Sequence, residues 1–186
     1  MKRLIIGLTG APSAGKDTVA THLSKLGFTH ISTSGIIREE MRKENLPLDR
    51  SHVSHYAIKS RHERGPDYLA KIAASKVNGN AVISGLRNIK EVEFLREEFG
   101  PDFVLITVEA PIETRYKWAL ERKRVGDDIS FDQFKAEEDA ERNGDEFAHQ
   151  VDALIAMADK VIVNDGTRDD LLKKTEKLVH NLENDM

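Results

Sequence analysis

Apolar residues fall into two patterns along this chain, short continuous runs and longer segments with helical spacing. The continuous runs are LIIGL (4–8), FTHI (28–31), AVI (81–83), FVLITV (103–108) and VIV (161–163). Near-continuous apolar runs of this length are typical of parallel strands that are covered on both faces. We therefore predict five strands in a mostly parallel sheet.

The segments between these runs repeat their apolar residues every three or four positions, which predicts helices with one buried face. The residues of these stripes are Val19, Leu23 and Leu26; Val92, Leu95 and Phe99; Ile112, Tyr116 and Ala119; Phe147, Val151, Leu154 and Ala158; and Leu171, Thr175, Leu178 and Leu182. Strands that alternate with helices predict an α/β fold with right-handed crossovers.

Two stretches interrupt this alternation. Residues 34–79, between the second and third strands, are predicted to form about three helices, with breaks at Pro47 and at Gly65-Pro66. Residues 123–146, after the fourth strand, are a dense cluster of charges. Taken alone, both stretches are typical of solvated helix surfaces.

Composition limits the classes of function that fit. The 186 residues are enough for one α/β domain, and 39% hydrophobic with 32% charged residues describes a globular chain. A net charge of −4 gives no electrostatic case for nucleic acid as the main partner, and the absence of cysteine excludes thiolate metal sites. The apolar start is too short for a signal peptide, and no stretch approaches a membrane span. We expect a cytoplasmic monomer or homodimer without a membrane partner.

The segment GAPSAGKD (10–17) follows the first predicted strand and precedes a helix. Its spacing, glycine, four residues and then Gly-Lys, is that of a phosphate-binding loop. The backbone N–H groups of such a loop cradle a polyphosphate, and its lysine bridges the terminal phosphates. We therefore predict a site for ATP and Mg²⁺. The predicted nucleotide-binding residues of the loop are Gly10, Ala11, Pro12, Ser13, Ala14, Gly15, Lys16, Asp17 and Thr18.

The segment HISTSGIIREEM (30–41) resembles adenylate kinases and related nucleoside monophosphate kinases, whose second strand ends in Ile-Ser-Thr. In these enzymes an arginine follows five residues after the threonine, and Thr33 and Arg38 match this spacing. The resemblance implies that Thr33 lies beside the acceptor nucleotide and that Arg38 binds its phosphate. The bidentate geometry of a guanidinium group suits that role.

The segment SGLR (84–87) resembles the Asp-Gly-x-Arg that ends the third strand in relatives of these kinases. Gly85 and Arg87 match, and the resemblance makes both substrate-binding residues, with Arg87 also catalytic. Ser84 stands where the family has aspartate, while Asp17 stands where the loop has serine or threonine. Phage deoxynucleoside monophosphate kinases have a similar Gly-Lys-Asp-Thr. We predict that Asp17 holds Mg²⁺ with help from Ser84, and that Thr18 bonds the α-phosphate. Alternatively, Asp17 only stabilises the helix N-terminus.

Two later segments extend the resemblance. VEAPIETRYKWALERKR (108–124) is similar to the helix that leads into the lid of these kinases, and Arg122 best matches a catalytic lid arginine. Weaker candidates for the same role are Arg115, Arg124 and Arg142. ADKVIVNDGTRDDLLKK (158–174) resembles the last strand, loop and helix of dephospho-coenzyme A kinases, which implies that Asn164 and Gly166 lie near the donor adenine.

From residue 4 to about residue 180 the chain is most similar to archaeal adenylate-kinase-related proteins. This resemblance implies a three-layer P-loop kinase fold, in which a five-stranded parallel sheet carries a helical acceptor-binding insertion and a short lid. The single domain, 1–186, would divide into a core (1–33, 80–122, 147–186), the acceptor-binding insertion (34–79) and the lid region (123–146).

Three functions remain open at this point. A nucleoside or deoxynucleoside monophosphate kinase is favoured by Thr33, Arg38 and Arg87, which are all acceptor-phosphate features in the family. A dephospho-coenzyme A kinase is favoured by the C-terminal segment, although its hydroxyl acceptor needs a base that the sequence does not identify. A nucleotide-switched binding protein would use the same loop without a phosphate acceptor. Small-molecule nucleotides are the predicted partners in each case.

Overall fold

The computed structural model describes residues 3–122 and 128–185, which form a parallel sheet with helices on both faces. The strands in this part of the chain are β1 (Ile5–Thr9), β2 (Thr29–Ser32), β3 (Ala81–Ser84), β4 (Phe103–Glu109) and β5 (Lys160–Val163). The helices there are α1 (Lys16–Lys25), α2 (Thr33–Lys43), α3 (Arg50–Arg64), α4 (Tyr68–Ser75), α5 (Ile89–Phe99), α6 (Ile112–Arg122), α7 (Phe131–Arg142), α8 (Val151–Ala156) and α9 (Arg168–Asp185), with a 3₁₀ turn at Gly100–Asp102. The five predicted strands and the α/β class are confirmed.

The strands lie in the order β2-β3-β1-β4-β5, and every neighbouring pair is parallel. Leu8 of β1 is in register with Ser84, the last residue of β3. The segments that follow these two strands therefore start from neighbouring points at the carboxyl edge of the sheet. This edge is where open parallel sheets bind their ligands.

Alternate residues of β1 pack into two separate cores, one on each face of the sheet. Ile6 belongs to a buried cluster with Leu23 of α1 and Leu182 of α9. Ile5 belongs to the cluster on the opposite face, with Leu95 of α5 and residues of the inserted helices. Because both faces are covered, all five residues of β1 are buried, which explains its continuous apolar run.

The insertion between β2 and β3 consists of α2, α3 and α4, as predicted, with breaks at 44–49 and 65–67. One polar link to the rest of the molecule is an ion pair between Arg61 of α3 and Glu91 of α5, with Nη2 2.8 Å from Oε1. Both side chains are buried. No helix in residues 3–122 or 128–185 has the length and apolar content needed to cross a membrane.

Two predicted stripe positions are wrong, and a third, Ala158, lies just beyond the end of α8 at Ala156. Leu26 is 46% exposed, because α1 ends at Lys25 and the chain turns at Gly27, whose φ is 95°. Phe147 precedes α8 instead of lying on it, and its N–H donates to the Asp145 carboxylate in a local turn. Its ring stacks on His62 at 4.1 Å between ring centroids. In both cases local turn chemistry prevails over the helical period.

Asn88 joins the end of β3 to the segment between α7 and α8. Its side-chain oxygen caps α5 by accepting from the Lys90 N–H at 2.9 Å. Its side-chain nitrogen donates to the carbonyl oxygens of Glu146 and Ala148, at 2.7 and 3.0 Å. Asn88 is fully buried, so its own amide group has no access to bulk water.

We expect Asn88→Ala to lower the free energy of unfolding by about 2–3 kcal/mol, because it removes a helix cap and leaves two part-buried carbonyls without their donor. The control is Ser130→Ala, which removes the exposed cap of α7 with the same capping-box geometry and should cost only about 1 kcal/mol. Urea unfolding of both variants measures the difference. Equal losses would contradict the bridging role of Asn88.

Candidate functional site

A cavity of about 1070 Å³ lies at the carboxyl edge of the sheet, where residues predicted from widely separated segments meet. The predicted residues that line it are Pro12, Ser13, Ala14, Gly15, Lys16, Asp17, Thr18, Thr33, Arg38, Ser84, Gly85, Arg87, Arg122, Asn164 and Gly166. Gly10 and Ala11 do not line this cavity, and Ala11 borders a smaller one of about 200 Å³.

The loop between β1 and α1 has a backbone that requires glycine at its last turn. Gly15 has a φ of 107°, and a Cβ there would lie 2.7 Å from the Asn164 side-chain nitrogen. That nitrogen donates to the Ala14 carbonyl oxygen at 3.0 Å. Asn164, predicted to lie near the donor adenine, therefore holds the loop in shape through a buried hydrogen bond.

Lys16 has its ammonium group folded over this loop. Nζ donates to the carbonyl oxygens of Gly10 and Ala11, at 2.6 and 2.5 Å. Burial, and next the guanidinium of Arg87, lower the pKa of Lys16 to about 7, although Asp17 and Glu141 oppose the shift. An anionic ligand in the loop would reverse this effect and restore the lysine's charge.

Asp17, His30 and Ser84 lie on one wall of the cavity. His30, which the sequence did not single out, has Nε2 2.8 Å from the Ser84 hydroxyl. Burial lowers the pKa of His30 below its ordinary value, although the nearby charge of Asp17 opposes the shift. The imidazole is therefore neutral near pH 7. The oxygen atoms of Asp17 and Ser84 are of the type that Mg²⁺ prefers. The described residues contain no cluster of three or more histidine, cysteine or acidic side chains that could hold a metal ion by themselves.

Thr33 and Gly85 join the ends of β2 and β3. The Thr33 hydroxyl donates to the carbonyl oxygen of Gly85 at 2.8 Å and approaches that of Ser84 at 3.2 Å. Gly85 has a φ of 86°, and a Cβ there would lie 2.6 Å from the same hydroxyl oxygen. The two predicted residues are therefore in contact, and the Thr33 hydroxyl is engaged with backbone.

Arg87 is paired with a carboxylate that the sequence did not identify. Glu141, in the last turn of α7, accepts from Nη1 of Arg87 and, at 3.0 Å, from Nη2 of Arg50. Burial by itself raises the pKa of Glu141, but Arg87 and Arg50 outweigh it and hold the pKa at about 2. Glu141 lay inside a charged segment whose pattern resembled a solvated surface, so only the folded chain reveals it.

The remaining predicted arginines divide into two groups. Arg38 and Arg122 line the cavity. Arg115 is buried and paired with Glu138, and its Nη1 donates to the Pro12 carbonyl oxygen at 3.1 Å. As a lid candidate Arg115 is therefore wrong, because it supports the phosphate loop from within the core.

The other two weaker lid candidates are Arg142 and Arg124. Arg142 is bound to Asp152 at 3.0 Å and does not line the main cavity. Arg124 lies outside the described residues.

Comparisons with known proteins identify the family. A family model described as an AAA domain matches residues 9–135. A UPF0200 protein of Thermococcus gammatolerans is 31% identical, over 96% of this chain and 95% of its own length. The chain contains an AAA domain and belongs to the UPF0200 family. A UPF0200/UPF0201 protein of Archaeoglobus fulgidus is also 31% identical, over 94% of this chain and 54% of its own length.

Solved structures resemble this UPF0200 protein in fold. A shikimate kinase from Aquifex aeolicus has a TM-score of 0.58 and 17% identity, covering 98% of both chains. A gluconokinase from Sinorhizobium meliloti has a TM-score of 0.55 and 13% identity, covering 98% of this chain and 95% of its own. The P-loop kinase fold is thereby confirmed. The finer resemblance to adenylate kinases and dephospho-coenzyme A kinases stays a prediction.

The low pKa of Lys16 has a measurable effect on stability. The unfolded chain keeps a lysine protonated up to its ordinary pKa of 10.5, whereas the folded chain releases this proton near pH 7. Between these values the unfolded state binds more protons, so the free energy of unfolding rises with pH. We expect the stability of Lys16→Met relative to the wild type to be greatest at pH 7. It should fall by more than about 1 kcal/mol as the pH approaches 10.

Urea unfolding at several pH values between 7 and 10 measures this trend. The control is Lys25→Met, at the exposed end of α1. An equal trend in both variants would contradict the effect of burial at Lys16.

Proposed function

We propose that the protein transfers the γ-phosphoryl group of ATP to a small phosphorylated acceptor, of which a nucleoside or deoxynucleoside monophosphate is the first candidate. The observation that carries the proposal is that the phosphate loop and the two acceptor arginines, Arg38 and Arg87, line one cavity. Its volume, about 1070 Å³, is at the upper end for a ligand site and is ample for two ligands side by side.

The donor side is formed by the loop between β1 and α1. Its N–H groups and the N-terminus of α1 bind the β- and γ-phosphates, and Lys16 stabilises their charge. Asp17 and Ser84 are the proposed Mg²⁺ residues, and Thr18 bonds the α-phosphate. When bound, Mg²⁺ supplies positive charge against the phosphate oxygens as the bond to the leaving oxygen breaks.

The acceptor side is formed by Arg38, Arg87 and Arg122, with Thr33 and Gly85 shaping its wall. An acceptor phosphate oxygen already carries negative charge, so it attacks the γ-phosphorus without a general base. The bond to the γ-phosphorus forms as the bond to the β-phosphate oxygen breaks, and ADP leaves. The arginines bind the oxygens on which negative charge collects and bring the two phosphates within reach of each other.

A hydroxyl acceptor is the second candidate, and His30 is the observation that favours it. Its imidazole is neutral and lies beside the Ser84 hydroxyl on the cavity wall, where it can accept a proton. The ribose hydroxyl of dephospho-coenzyme A is one such acceptor, consistent with the C-terminal resemblance. The shikimate kinase and gluconokinase that share the fold also have names that imply hydroxyl acceptors.

An acceptor panel tests the proposal directly. Each nucleoside and deoxynucleoside monophosphate, dephospho-coenzyme A, shikimate and gluconate is incubated with ATP and Mg²⁺, and ADP and phosphorylated product are measured together. We expect equal amounts of ADP and product with a monophosphate, and a loss of about 10²-fold or more in Lys16→Ala. Product only from a hydroxyl compound would favour the second candidate. ADP without product from any compound would contradict transfer and favour a nucleotide switch.

A metal titration distinguishes the two roles predicted for Asp17, Mg²⁺ binding and stabilisation of the N-terminus of α1. We expect Asp17→Asn to raise the Mg²⁺ concentration needed for half-maximal turnover, because a neutral amide binds the ion more weakly than a carboxylate. Exchanging the two side chains, in Asp17→Ser with Ser84→Asp, should recover part of the loss.

The control for this titration is Asp169→Asn, a change of the same type in the first turn of α9 that does not line the main cavity. Unchanged Mg²⁺ dependence in Asp17→Asn would leave Asp17 only its effect on the N-terminus of α1.

A further inference from the structure

Glu141 forms a bridge between two parts of the cavity wall that are far apart in sequence. One carboxylate oxygen accepts from Arg87, which follows β3, and the other accepts from Arg50, the first residue of α3, at 3.0 Å. The Glu141 side chain is only 11% exposed. Two guanidinium groups that converge on one carboxylate are the arrangement proteins use to bind a phosphate or carboxylate ligand.

A third arginine, Arg61, lines the same cavity. Arg61 is 1% exposed, and its Nε and Nη2 donate to one oxygen of Glu91, at 3.2 and 2.8 Å. The remaining nitrogen, Nη1, is buried and has no hydrogen-bond partner among the described residues. Charged groups that are fully buried are normally satisfied on every side, so an unsatisfied guanidinium beside a ligand cavity points to a missing anion.

Glu91 sets the relative position of Arg61 and Arg87. Its first carboxylate oxygen accepts from Arg61, and its second accepts from the Arg87 backbone N–H at 2.9 Å. Glu91 is fully buried and lies in the first turn of α5, so this link is rigid. The three arginines therefore surround one region of the cavity, and His149, which lies 6% exposed on its wall, is close to all of them.

We propose that Arg50, Arg61 and Arg87 form an anion-binding subsite, and that the Glu141 carboxylate occupies it in place of the acceptor's anionic group. The ligand class is a compact anion, either a phosphate or a carboxylate. The proposal deepens the proposed function, on which it rests for the identification of this ligand as the acceptor. Glu141 remains charged at every ordinary pH, so an incoming anion must displace it and is not met by a neutral side chain.

This arrangement lowers the affinity of the free protein for its acceptor. A ligand that competes with an internal group has an apparent Kd equal to its intrinsic Kd divided by the fraction of time for which the site is free. Once Glu141 is displaced, Arg50 and Arg87 are both available to the ligand. The internal carboxylate also keeps Arg50 and Arg87 together when no acceptor is bound, which offsets their mutual repulsion.

Anion titrations test this competition. Inorganic phosphate in one arm, and malonate in the other, are titrated into the protein with and without saturating ADP and Mg²⁺. The fluorescence of Trp118, the single tryptophan, reports binding because this residue lines the cavity. We expect Glu141→Gln to bind phosphate or malonate about tenfold more tightly than the wild type.

Two further variants test the arginines and the specificity of the effect. The gain should disappear in Glu141→Gln combined with Arg50→Gln. The matched control is Glu137→Gln, one turn earlier on α7. Glu137 is more exposed than Glu141 and accepts from Nη1 of Arg50, and its removal leaves Arg87 paired with Glu141. We expect this control to bind both anions with wild-type affinity.

Each outcome of these titrations either supports the subsite or overturns it. Equal or weaker anion binding in Glu141→Gln, or a gain that persists without Arg50, would overturn the proposal. If thermal unfolding shows that Glu141→Gln is not folded, Glu141→Asp replaces it, since a shorter carboxylate reaches both arginines poorly and should give a smaller gain in the same direction. No gain in the folded aspartate variant would equally overturn it.

The two anions identify the acceptor's group, because the anion that binds Glu141→Gln more tightly is the better match. Failure of the proposed function would be seen as the absence of ADP binding or transfer. The anion titrations without ADP would still be valid, because they compare variants that all have the same phosphate loop.

Discussion

The site depends on one electrostatic constraint, the confinement of several positive charges at the carboxyl edge of the sheet. Lys16 and Arg87 follow neighbouring strands, and burial, followed by the nearby charge of Arg87, lowers the pKa of Lys16 to about 7. Like charges that lie close together repel strongly where water is excluded. The fold offsets the repulsion with Glu141, and a polyphosphate donor or an anionic acceptor would do the same from outside. The positive charge that is costly to confine is therefore also the charge that selects anionic ligands.

A second constraint links the insertion to the core. The Arg61–Glu91 pair joins α3 to α5 inside the molecule, and Glu91 also bonds the backbone at Arg87. A buried pair of this kind contributes little net stability, because each ion has lost its hydration. Its consequence is geometric, since it fixes the inserted helix α3 relative to the strand end that carries Arg87. Arg115 acts similarly on the other side by tying Glu138 to the Pro12 carbonyl oxygen.

Sequence patterns predicted the parts of the molecule that are encoded locally. The continuous runs gave the strands to within one residue at each end, and the Gly-x4-Gly-Lys spacing gave the loop whose lining the structure brings to the cavity. Glu141, Arg61 and His30 could not be found in this way, because each takes its role from partners distant in sequence. A charged residue in a charged segment looks solvated until the fold buries it. Arg115 failed for the same reason, since a lid arginine and a buried one have the same local context.

In the proposed function, one cavity binds donor and phosphorylated acceptor together. The most direct measurement is calorimetric titration of a dinucleoside polyphosphate, in which adenosine is joined through its phosphates to a second nucleoside. We expect one molecule bound per chain, at least about tenfold tighter than ADP, with loss of that advantage in Arg38→Gln. Affinity equal to that of ADP, or binding of a second nucleotide beside the joined compound, would contradict it.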